Sequence, residues 1–157
     1  SNLTLRKSKN IGVYGYKGAS MHLDNVSVEN SGRSGVDVRR TKRNTMKNCN
    51  VSHSKGSGLR VCEGGLMTIS GNATTIHHNG TNGVSFSGEE FYGLDTNNSS
   101  SSIHLVSPLT KEMISTNNDS GGNHGGEGTI KSVDNDGKVL EVVYDGRPDE
   151  ENEDEDD

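Results

Sequence analysis

The chain has no tryptophan, two prolines and two cysteines, and aromatic residues make up 4% of its 157 residues. Hydrophobic residues reach only 27%. A chain with so little apolar material cannot bury a wide core, so it is either largely disordered or folded around a thin core. No apolar run is long enough to span a bilayer, and the first residues do not have the character of a signal peptide.

The formal net charge of −6 is unevenly distributed. Residues 149–157 are almost all acidic, and such a like-charge block favours a solvated, disordered tail. The first 64 residues are instead basic. Their densest positive stretch is a candidate polyanion patch, with a solvated face as the alternative: Arg39, Arg40, Lys42 and Arg43. The patch has no interleaved aromatic residues, which disfavours nucleic acid as a partner.

What the chain does contain is an internal repeat. A glycine opens a short alternating run at intervals of 23, 23 and 25 residues, at Gly12, Gly35, Gly58 and Gly83. The next residue is apolar in every copy, at Val13, Val36, Leu59 and Val84, and Val38, Val61 and Phe86 follow two residues later. Two further runs share the period, one through Leu5, Val28, Val51 and Ile76 and one ending at Leu23, Met46 and Ile69. The repeat therefore predicts three short strands in each of four copies.

Strands of this kind cannot all pair as hairpins, because the equivalent of each strand lies one full repeat away. Coiling the chain so that every strand pairs in parallel with its equivalent satisfies the backbone groups and stacks the apolar residues inward. The chirality of parallel crossovers makes the coil right-handed. The prediction is an all-β protein: a right-handed, single-stranded parallel β-helix with about 23 residues per coil.

The organisation predicted along the chain has three parts. Residues 1–106 form the coils, and residues 107–148 form a cap with a helix starting at Ser107-Pro108, a Gly/Asn-rich loop and a β-hairpin over Thr129–Tyr144. Residues 149–157 are the acidic tail. The cap is expected to cover the last coil, whose edge otherwise invites association. The first coil has no visible cap, so we expect further coils or a homo-oligomer at that edge.

The motif N-x-[ST]-[VI] followed by G-[VL]-x-V, repeated every 23 residues over about residues 1–86, resembles the pectate-lyase-like superfamily of β-helix proteins. Because the repeat is loosely kept, the chain is also similar to β-helix proteins of algae and large DNA viruses. The superfamily holds polysaccharide lyases, hydrolases and epimerases, viral tailspikes and non-catalytic carbohydrate-binding modules. The resemblance therefore implies a polysaccharide or glycoconjugate partner, and an extracellular, cell-surface or virion-associated location, without selecting an activity.

Residues between the inward positions point outward and form rows across adjacent coils. On the Gly-led strand the predicted rows are Tyr14, Asp37, Arg60 and Ser85, and then Tyr16, Arg39, Cys62 and Ser87. Sugar-binding surfaces combine aromatic faces with charged groups. The candidate carbohydrate-binding residues are therefore Tyr14, Tyr16, Asp37, Arg39 and Arg60. The alternative is that Asp37 and Arg60 form only a surface ion pair that contributes little.

Catalysis is the less favoured interpretation, with Asp37, Arg39 and Arg60 as its only candidates. β-Elimination needs a base and positive charge near the developing enolate, and lyases that resemble this fold also hold Ca²⁺ with several carboxylates. Asp37 stands alone in its predicted row, and hydrolysis needs two facing carboxylates. An enzyme is predicted only if carboxylates from the loop 88–102 fold back onto Asp37: Glu89, Glu90 or Asp95.

The sequence thus predicts a non-catalytic structural or adhesive module that needs no cofactor. The alternatives are an enzyme that modifies polysaccharides and a viral or cell-surface assembly protein. No metal site is predicted. His53 and His78 align in one column beside His77, and stacked imidazoles are able to bind a transition metal, but ladders of like polar residues are ordinary packing in β-helices. Cys49 is expected to point inward and Cys62 outward, which argues against a disulfide.

Overall fold

The computed structural model describes residues 2–140 of the chain. In that part, three parallel five-stranded sheets wind around one narrow core. Sheet 1 consists, in spatial order, of β1 (Leu3–Arg6), β4 (Val26–Glu29), β7 (Asn50–Ser52), β10 (Thr75–His77) and β13 (Ser115–Thr116). Sheet 2 consists of β2 (Val13–Tyr16), β5 (Val36–Arg39), β8 (Leu59–Cys62), β11 (Tyr92–Thr96) and β14 (Gly122–Gly126). Sheet 3 consists of β3 (His22–Asp24), β6 (Asn44–Lys47), β9 (Leu66–Ser70), β12 (Ser102–Val106) and β15 (Thr129–Val133).

The described part has one short helix, α1 (Lys111–Ile114). Thr110 caps it, because its side-chain oxygen accepts a hydrogen bond from the backbone N–H of Met113 at 3.2 Å. The helix therefore begins after the Ser107-Pro108 start predicted from the sequence. Nowhere in residues 2–140 does a helix have the length and apolar character needed to cross a membrane.

The strand pairing confirms the predicted parallel coil over the first three repeats. Leu3 lies opposite Val26, Val13 opposite Val36 and His22 opposite Thr45, each pair 23 residues apart. Inward residues from successive coils stack into columns and bury almost completely, as the alternation predicts. Cys49 is buried in the column of Val26. Four inward columns form the centre of the core: Val28, Val51 and Ile76; Val36, Leu59 and Leu94; Val38 and Val61; and Met46, Ile69 and Leu105.

The fourth coil differs from the predicted alignment. Leu59 lies opposite Leu94 rather than Val84, and Phe86 is fully exposed. The backbone N–H of Asn82 donates to the carbonyl oxygen of Lys55 at 3.1 Å, and the N–H of Gly58 donates to that of Tyr92 at 3.1 Å. Residues 83–90 are therefore an inserted loop between two positions of the regular coil. The prediction that placed Gly83, Val84 and Phe86 in the repeat was wrong.

The region predicted as a separate cap is in part a fifth coil. Strands β13, β14 and β15 each extend one of the three sheets, so the coils continue to Val133 and the boundary predicted at residue 106 is corrected. Strand β14 occupies what the sequence predicted to be a Gly/Asn-rich loop. A Cβ atom on Gly125 would overlap the ring of Tyr92, so this strand needs glycine there and has no apolar alternation to reveal it.

The predicted turn at Asp134–Gly137 is present. The Asp134 carboxylate accepts hydrogen bonds from the backbone N–H groups of Asp136 and Lys138, both at 2.9 Å, and Val133 forms an antiparallel bridge with Val139. The strand before the turn, β15, pairs in parallel with β12 as part of the fifth coil. The rest of the predicted hairpin, residues 141–144, and the acidic tail, residues 149–157, lie outside the described residues.

Deleting the inserted loop is expected to leave the coil intact, because Asn82 and Phe91 then take the places that Lys55 and Gly56 occupy one coil below. We expect the midpoint of thermal unfolding of the Δ83–90 variant to change by less than about 5 °C, which corresponds to about 1–2 kcal/mol for a chain of this size. Deleting the equally long segment 92–99, which removes β11, is the control and is expected to prevent folding. A loss of more than about 10 °C in the Δ83–90 variant would show that the loop supports the core.

Candidate functional site

The outer face of sheet 2 carries a row of charged side chains that crosses three coils. Asp37 lies in register with Arg60, and Arg60 lies in register with Asp95. Tyr14 precedes Asp37 in the same row. Asp95 takes the position predicted for Ser85, because the inserted loop carries Ser85 away from the sheet. One of the three loop carboxylates named above thus joins the row of Asp37.

Both carboxylates of this row are buried, with Asp37 1% and Asp95 5% exposed. Burial raises the pKa of Asp37 above its ordinary value, and the positive charges of Arg39 and Arg60 oppose that shift. Burial raises the pKa of Asp95 to about 6, against the hydrogen bond from Ser57 and the charge of Arg60. The Ser57 hydroxyl donates to Asp95 Oδ2 at 2.7 Å. Near pH 6, therefore, Asp95 is about equally divided between its acid and its carboxylate.

The charged groups of the site lie near one another without forming close hydrogen bonds. Arg39 Nε is 3.6 Å from Asp37 Oδ1, and Arg60 Nη1 is 3.9 Å from Asp37 Oδ2. Asp37 Oδ1 and Arg39 Nε are both buried and have no hydrogen-bond partner among the residues that the structure describes. A buried group without a partner costs about 1–3 kcal/mol, so such pairs call for an explanation. Here the two atoms face each other as an ion pair at slightly more than hydrogen-bond distance, in the buried part of the site.

The inserted loop turns this face into a cleft of about 1000 Å³. Its floor consists of Asp37, Arg39, Arg60 and Asp95. The loop contributes apolar side chains from Val84 and Phe86 and carboxylates from Glu89 and Glu90, and further lining residues are Arg33, Lys55 and Glu127. The sequence predicted a flat strand face, and the structure shows a walled cleft that contains charges of both signs.

The two tyrosines of the predicted carbohydrate site lie beside the cleft rather than in its lining. Tyr14 and Tyr16 project from β2 and are 50% and 43% exposed. Their rings stack with centroids 6.1 Å apart and planes 9° apart. The structure therefore brings Asp37, Arg39 and Arg60 together in the cleft, with the tyrosine pair on the adjoining surface.

The predicted polyanion patch is partly neutralised by neighbouring acids. Arg40 donates to Glu63 at 2.6 Å and to the hydroxyl of Tyr16 at 3.3 Å. Arg39 lies 3.6 Å from Asp37 and 4.0 Å from Glu63. Of the four predicted residues, only Lys42 and Arg43 have no ion pair within the described part of the chain. This arrangement argues against a continuous positive surface.

Cys62 lies in register with Arg39, in the outward row predicted for it, but neighbouring side chains bury it. Burial raises the pKa of its thiol to about 11, and the positive charge of Arg60 opposes that shift. A thiol with a raised pKa is predominantly neutral at physiological pH, which disfavours a thiolate nucleophile at this position.

The predicted histidine column is present at the turn that follows sheet 1. The rings of His53 and His78 stack with centroids 5.2 Å apart and planes 5° apart. Burial and then the neighbouring imidazoles lower the pKa of His77. In residues 2–140 no group of three or more histidine, cysteine, aspartate or glutamate side chains is arranged to hold a metal ion.

Sequence reasoning did not place Asp95 in the charged row, although a signal for it exists. The stretch Gly93-Leu-Asp-Thr96 repeats the pattern of Gly35-Val-Asp-Val38 and Gly58-Leu-Arg-Val61, with a charged residue at the same outward position. Gly83-Val-Ser-Phe86 also matches the pattern and occurs nearer to the expected spacing. A search that allowed an insertion between coils would have recovered Asp95.

Residues 1–136 match the protein family described as "Right handed beta helix region". This match confirms the right-handed parallel β-helix that the repeat predicts. Among solved structures, the chain is similar to the A-module of a mannuronan C-5 epimerase from Azotobacter vinelandii, with 17% sequence identity and a TM-score of 0.38. The similarity covers 85% of this chain and 49% of the epimerase module, so the chain spans about half the length of that module. None of the curated proteins compared with the chain matches it.

Proposed function

Since the chain belongs to the right-handed β-helix family, we propose that it is a non-catalytic module that holds a polysaccharide or glycoconjugate in the cleft over sheet 2. The observation that carries this proposal is the charged cleft floor, in which the side chains of Arg39 and Arg60 stay 31% and 24% exposed above the buried Asp37. A sugar hydroxyl accepts hydrogen bonds as well as donating one, so hydroxyls of a bound glycan accept from the guanidinium N–H groups of Arg39 and Arg60. Both bonds involve an ionised group, which makes them stronger than neutral ones.

The walls of the cleft fit the same class of ligand. Phe86 and Val84 offer apolar surface to the C–H groups of a sugar ring, while Arg33 and Lys55 offer donors to further hydroxyls. The acidic side chains of the lining balance its basic ones, so the cleft favours a ligand rich in hydroxyls over a plain polyanion.

A glycan array that includes neutral and uronate polymers tests the proposal on the full chain. Arg39→Ala is expected to weaken binding of the best glycan at least tenfold, because it removes the donor at the cleft floor. Arg43→Ala removes an exposed arginine outside the cleft and is expected to leave binding within twofold. Absence of any bound glycan, or an equal loss in the two variants, would contradict a cleft-centred site.

Phe86→Ala is expected to lower glycan affinity about 2- to 12-fold, because contacts of an aromatic ring contribute about 0.5–1.5 kcal/mol. Phe86 is fully exposed, so the midpoint of thermal unfolding should stay unchanged. Phe86→Tyr keeps the ring and is expected to keep the affinity. Titration calorimetry measures the affinity of the wild type, the two Phe86 variants and Tyr14→Ala. A loss in Tyr14→Ala without a loss in Phe86→Ala would place the ligand on the flat face instead of in the cleft.

The geometry favours one second candidate, a glycoside hydrolase. Asp37 and Asp95 lie in one row with a single strand between them, so their backbones are about 9–10 Å apart. Inverting glycosidases hold two carboxyl groups about 6.5–9.5 Å apart, one as acid and one as base. Asp95, with a pKa of about 6, is the natural acid and Asp37 the natural base. Release of reducing ends that disappears in Asp95→Asn would support hydrolysis, and binding without release would support the non-catalytic module.

The proposal extends to location and assembly. A module that binds glycans acts where glycans are displayed, so we place it outside the cell, at a cell surface or on a virion. Strands β1, β2 and β3 form one end of their sheets in the described part of the chain. Their open edges suit pairing with further coils or with a second copy, and the latter would appear as a concentration-dependent dimer in analytical ultracentrifugation.

A further inference from the structure

Three histidines meet at the turn that leaves sheet 1, on a different face from the cleft. His77 ends β10 and His78 follows it, while His53 occupies the equivalent of His78 one coil below. The ring centroids lie 5.0 Å apart for His77 and His78, 5.2 Å for His53 and His78, and 5.9 Å for His53 and His77. We refer to these three residues as the histidine turn.

Hydrogen bonds determine which nitrogen of His77 is free. Asn50 Oδ1 lies 3.0 Å from His77 Nε2 and also accepts from the Thr75 hydroxyl at 2.7 Å. Since this oxygen only accepts, His77 Nε2 carries the hydrogen of the neutral ring, and Nδ1 has the lone pair. A hydrogen bond of this type to the distal nitrogen is what orients metal-binding histidines in general.

The lone pair of His77 Nδ1 lies against the equivalent atom of His78, with the two Nδ1 atoms 2.7 Å apart and the rings at 85°. With metal–nitrogen bonds of about 2.0 Å, two nitrogens at this distance subtend about 85° at the metal. That angle fits adjacent positions of a square-planar ion, whereas tetrahedral coordination needs nitrogens about 3.3 Å apart. Square-planar nitrogen coordination is the preference of Cu(II) and Ni(II).

We propose that His77 and His78 chelate Cu(II) through their two Nδ1 atoms, and that they bind Ni(II) in the same way but more weakly. When the metal binds, the hydrogen of the neutral His78 ring moves from Nδ1 to Nε2, so the net charge of the ring does not change. Water completes the coordination. The exposed His53 ring is stacked parallel to His78, so its nitrogens lie in a different plane and are not ligands of the ion. The site is independent of the glycan cleft and of the proposed function.

Titration of the untagged full chain with copper sulfate, in a buffer that does not bind copper, tests the proposal. We expect one Cu(II) ion per chain with a micromolar or lower dissociation constant, and an electron paramagnetic resonance spectrum with hyperfine coupling to at least two imidazole nitrogens. His78→Asn is expected to weaken binding at least tenfold. Asparagine tolerates the positive φ of 56° at this position, so the variant keeps its backbone conformation.

His77→Gln tests the second ligand and is expected to show the same loss, whereas His53→Asn is expected to bind copper within about twofold of the wild type, because the stacked ring is not a ligand. His22→Asn is the matched control, because His22 is an exposed histidine on β3, away from the turn, and its Nδ1 lies 2.9 Å from the Thr45 hydroxyl. The control is expected to bind copper as the wild type does. Equal affinity of wild type and His78→Asn, or an equal loss in His22→Asn, would overturn the proposal.

Discussion

Asp95→Asn is expected to make the chain more stable at pH 7, by about 1–3 kcal/mol in the free energy of unfolding. Asp95 is 5% exposed, and burial raises its pKa from an ordinary 3.8 to about 6. At pH 7 the native state therefore holds a buried carboxylate that the unfolded state would hydrate at no cost. Asparagine removes the charge and keeps an oxygen that accepts from the Ser57 hydroxyl.

The direction of the pH dependence follows from the raised pKa. Between about pH 4 and pH 6 the native state keeps a proton on Asp95 that the unfolded state has released, so the contribution of Asp95 to stability falls as the pH rises through this window. Urea unfolding at pH 4, 5, 6 and 7 gives the free energy of unfolding of variant and wild type. We expect the difference between the two to be near zero at pH 4 and to grow towards pH 7. Asp24→Asn, at an exposed position on β3, is the control and is expected to show no such growth. A difference that is constant across the four pH values would contradict the assignment.

Asn79→Leu is expected to reduce the free energy of unfolding by about 2–4 kcal/mol. Asn79 is fully buried at a turn between coils, and its side chain joins three coils. Its Oδ1 accepts from the backbone N–H of Ser54 at 3.0 Å, and its Nδ2 donates to the carbonyl oxygen of Val51 at 3.1 Å and to Asn118 Oδ1 at 3.0 Å. Leucine has a similar volume but leaves these backbone groups buried without partners.

The measurement is urea unfolding at pH 7, with Asn72→Leu as the control. Asn72 is an exposed asparagine in the preceding turn, so its replacement is expected to change the free energy of unfolding by less than about 0.5 kcal/mol. Asn79 is also the first residue of an Asn-x-Thr sequence, so the comparison is made on protein from a bacterial host. Equal stability of the two variants would show that the buried amide does not hold the coils together.

These two residues show two different uses of a buried polar group. The bonds of Asn79 are complete, so it stabilises the coil. Asp95 and Asp37 are carboxylates in the cleft floor whose pKa values are raised by burial, so their charged forms reduce stability. Residues that lower stability in the free protein often belong to a binding or catalytic site. Asp95→Asn is therefore expected both to stabilise the free protein and to change ligand binding in the cleft.

The repeat predicted the coil well because the same physical constraint acts on every turn. An inward residue such as Val28 packs on Val51 one coil away, so a change of register would expose the whole column. The 23-residue spacing of Val13 and Val36 therefore appears directly in the strand pairing. The fifth coil was missed because its strands are irregular: β13 has two residues, and β14 is rich in glycine where the Tyr92 ring needs space.

The candidate site was only partly predictable. Asp37, Arg39 and Arg60 follow from the outward positions of a regular strand, and the structure places them together in the cleft floor. Residues 83–90 contain a false copy of the repeat motif and wall the cleft instead of continuing the sheet. The geometry of the histidine turn also lies beyond a sequence pattern, because the 2.7 Å contact depends on the backbone bend between His77 and His78.

The sequence by itself determined the class of fold and the period of the coil, and over the first three coils it determined the inward columns and the register of the outward rows. These features depend on alternation and spacing, which are local properties that repeat along the chain. The tertiary structure decided which carboxylate completes the row of Asp37, how deeply that row is buried, and that an inserted loop closes over it. These features depend on contacts between residues in different coils at irregular separations, and no period in the sequence encodes such contacts.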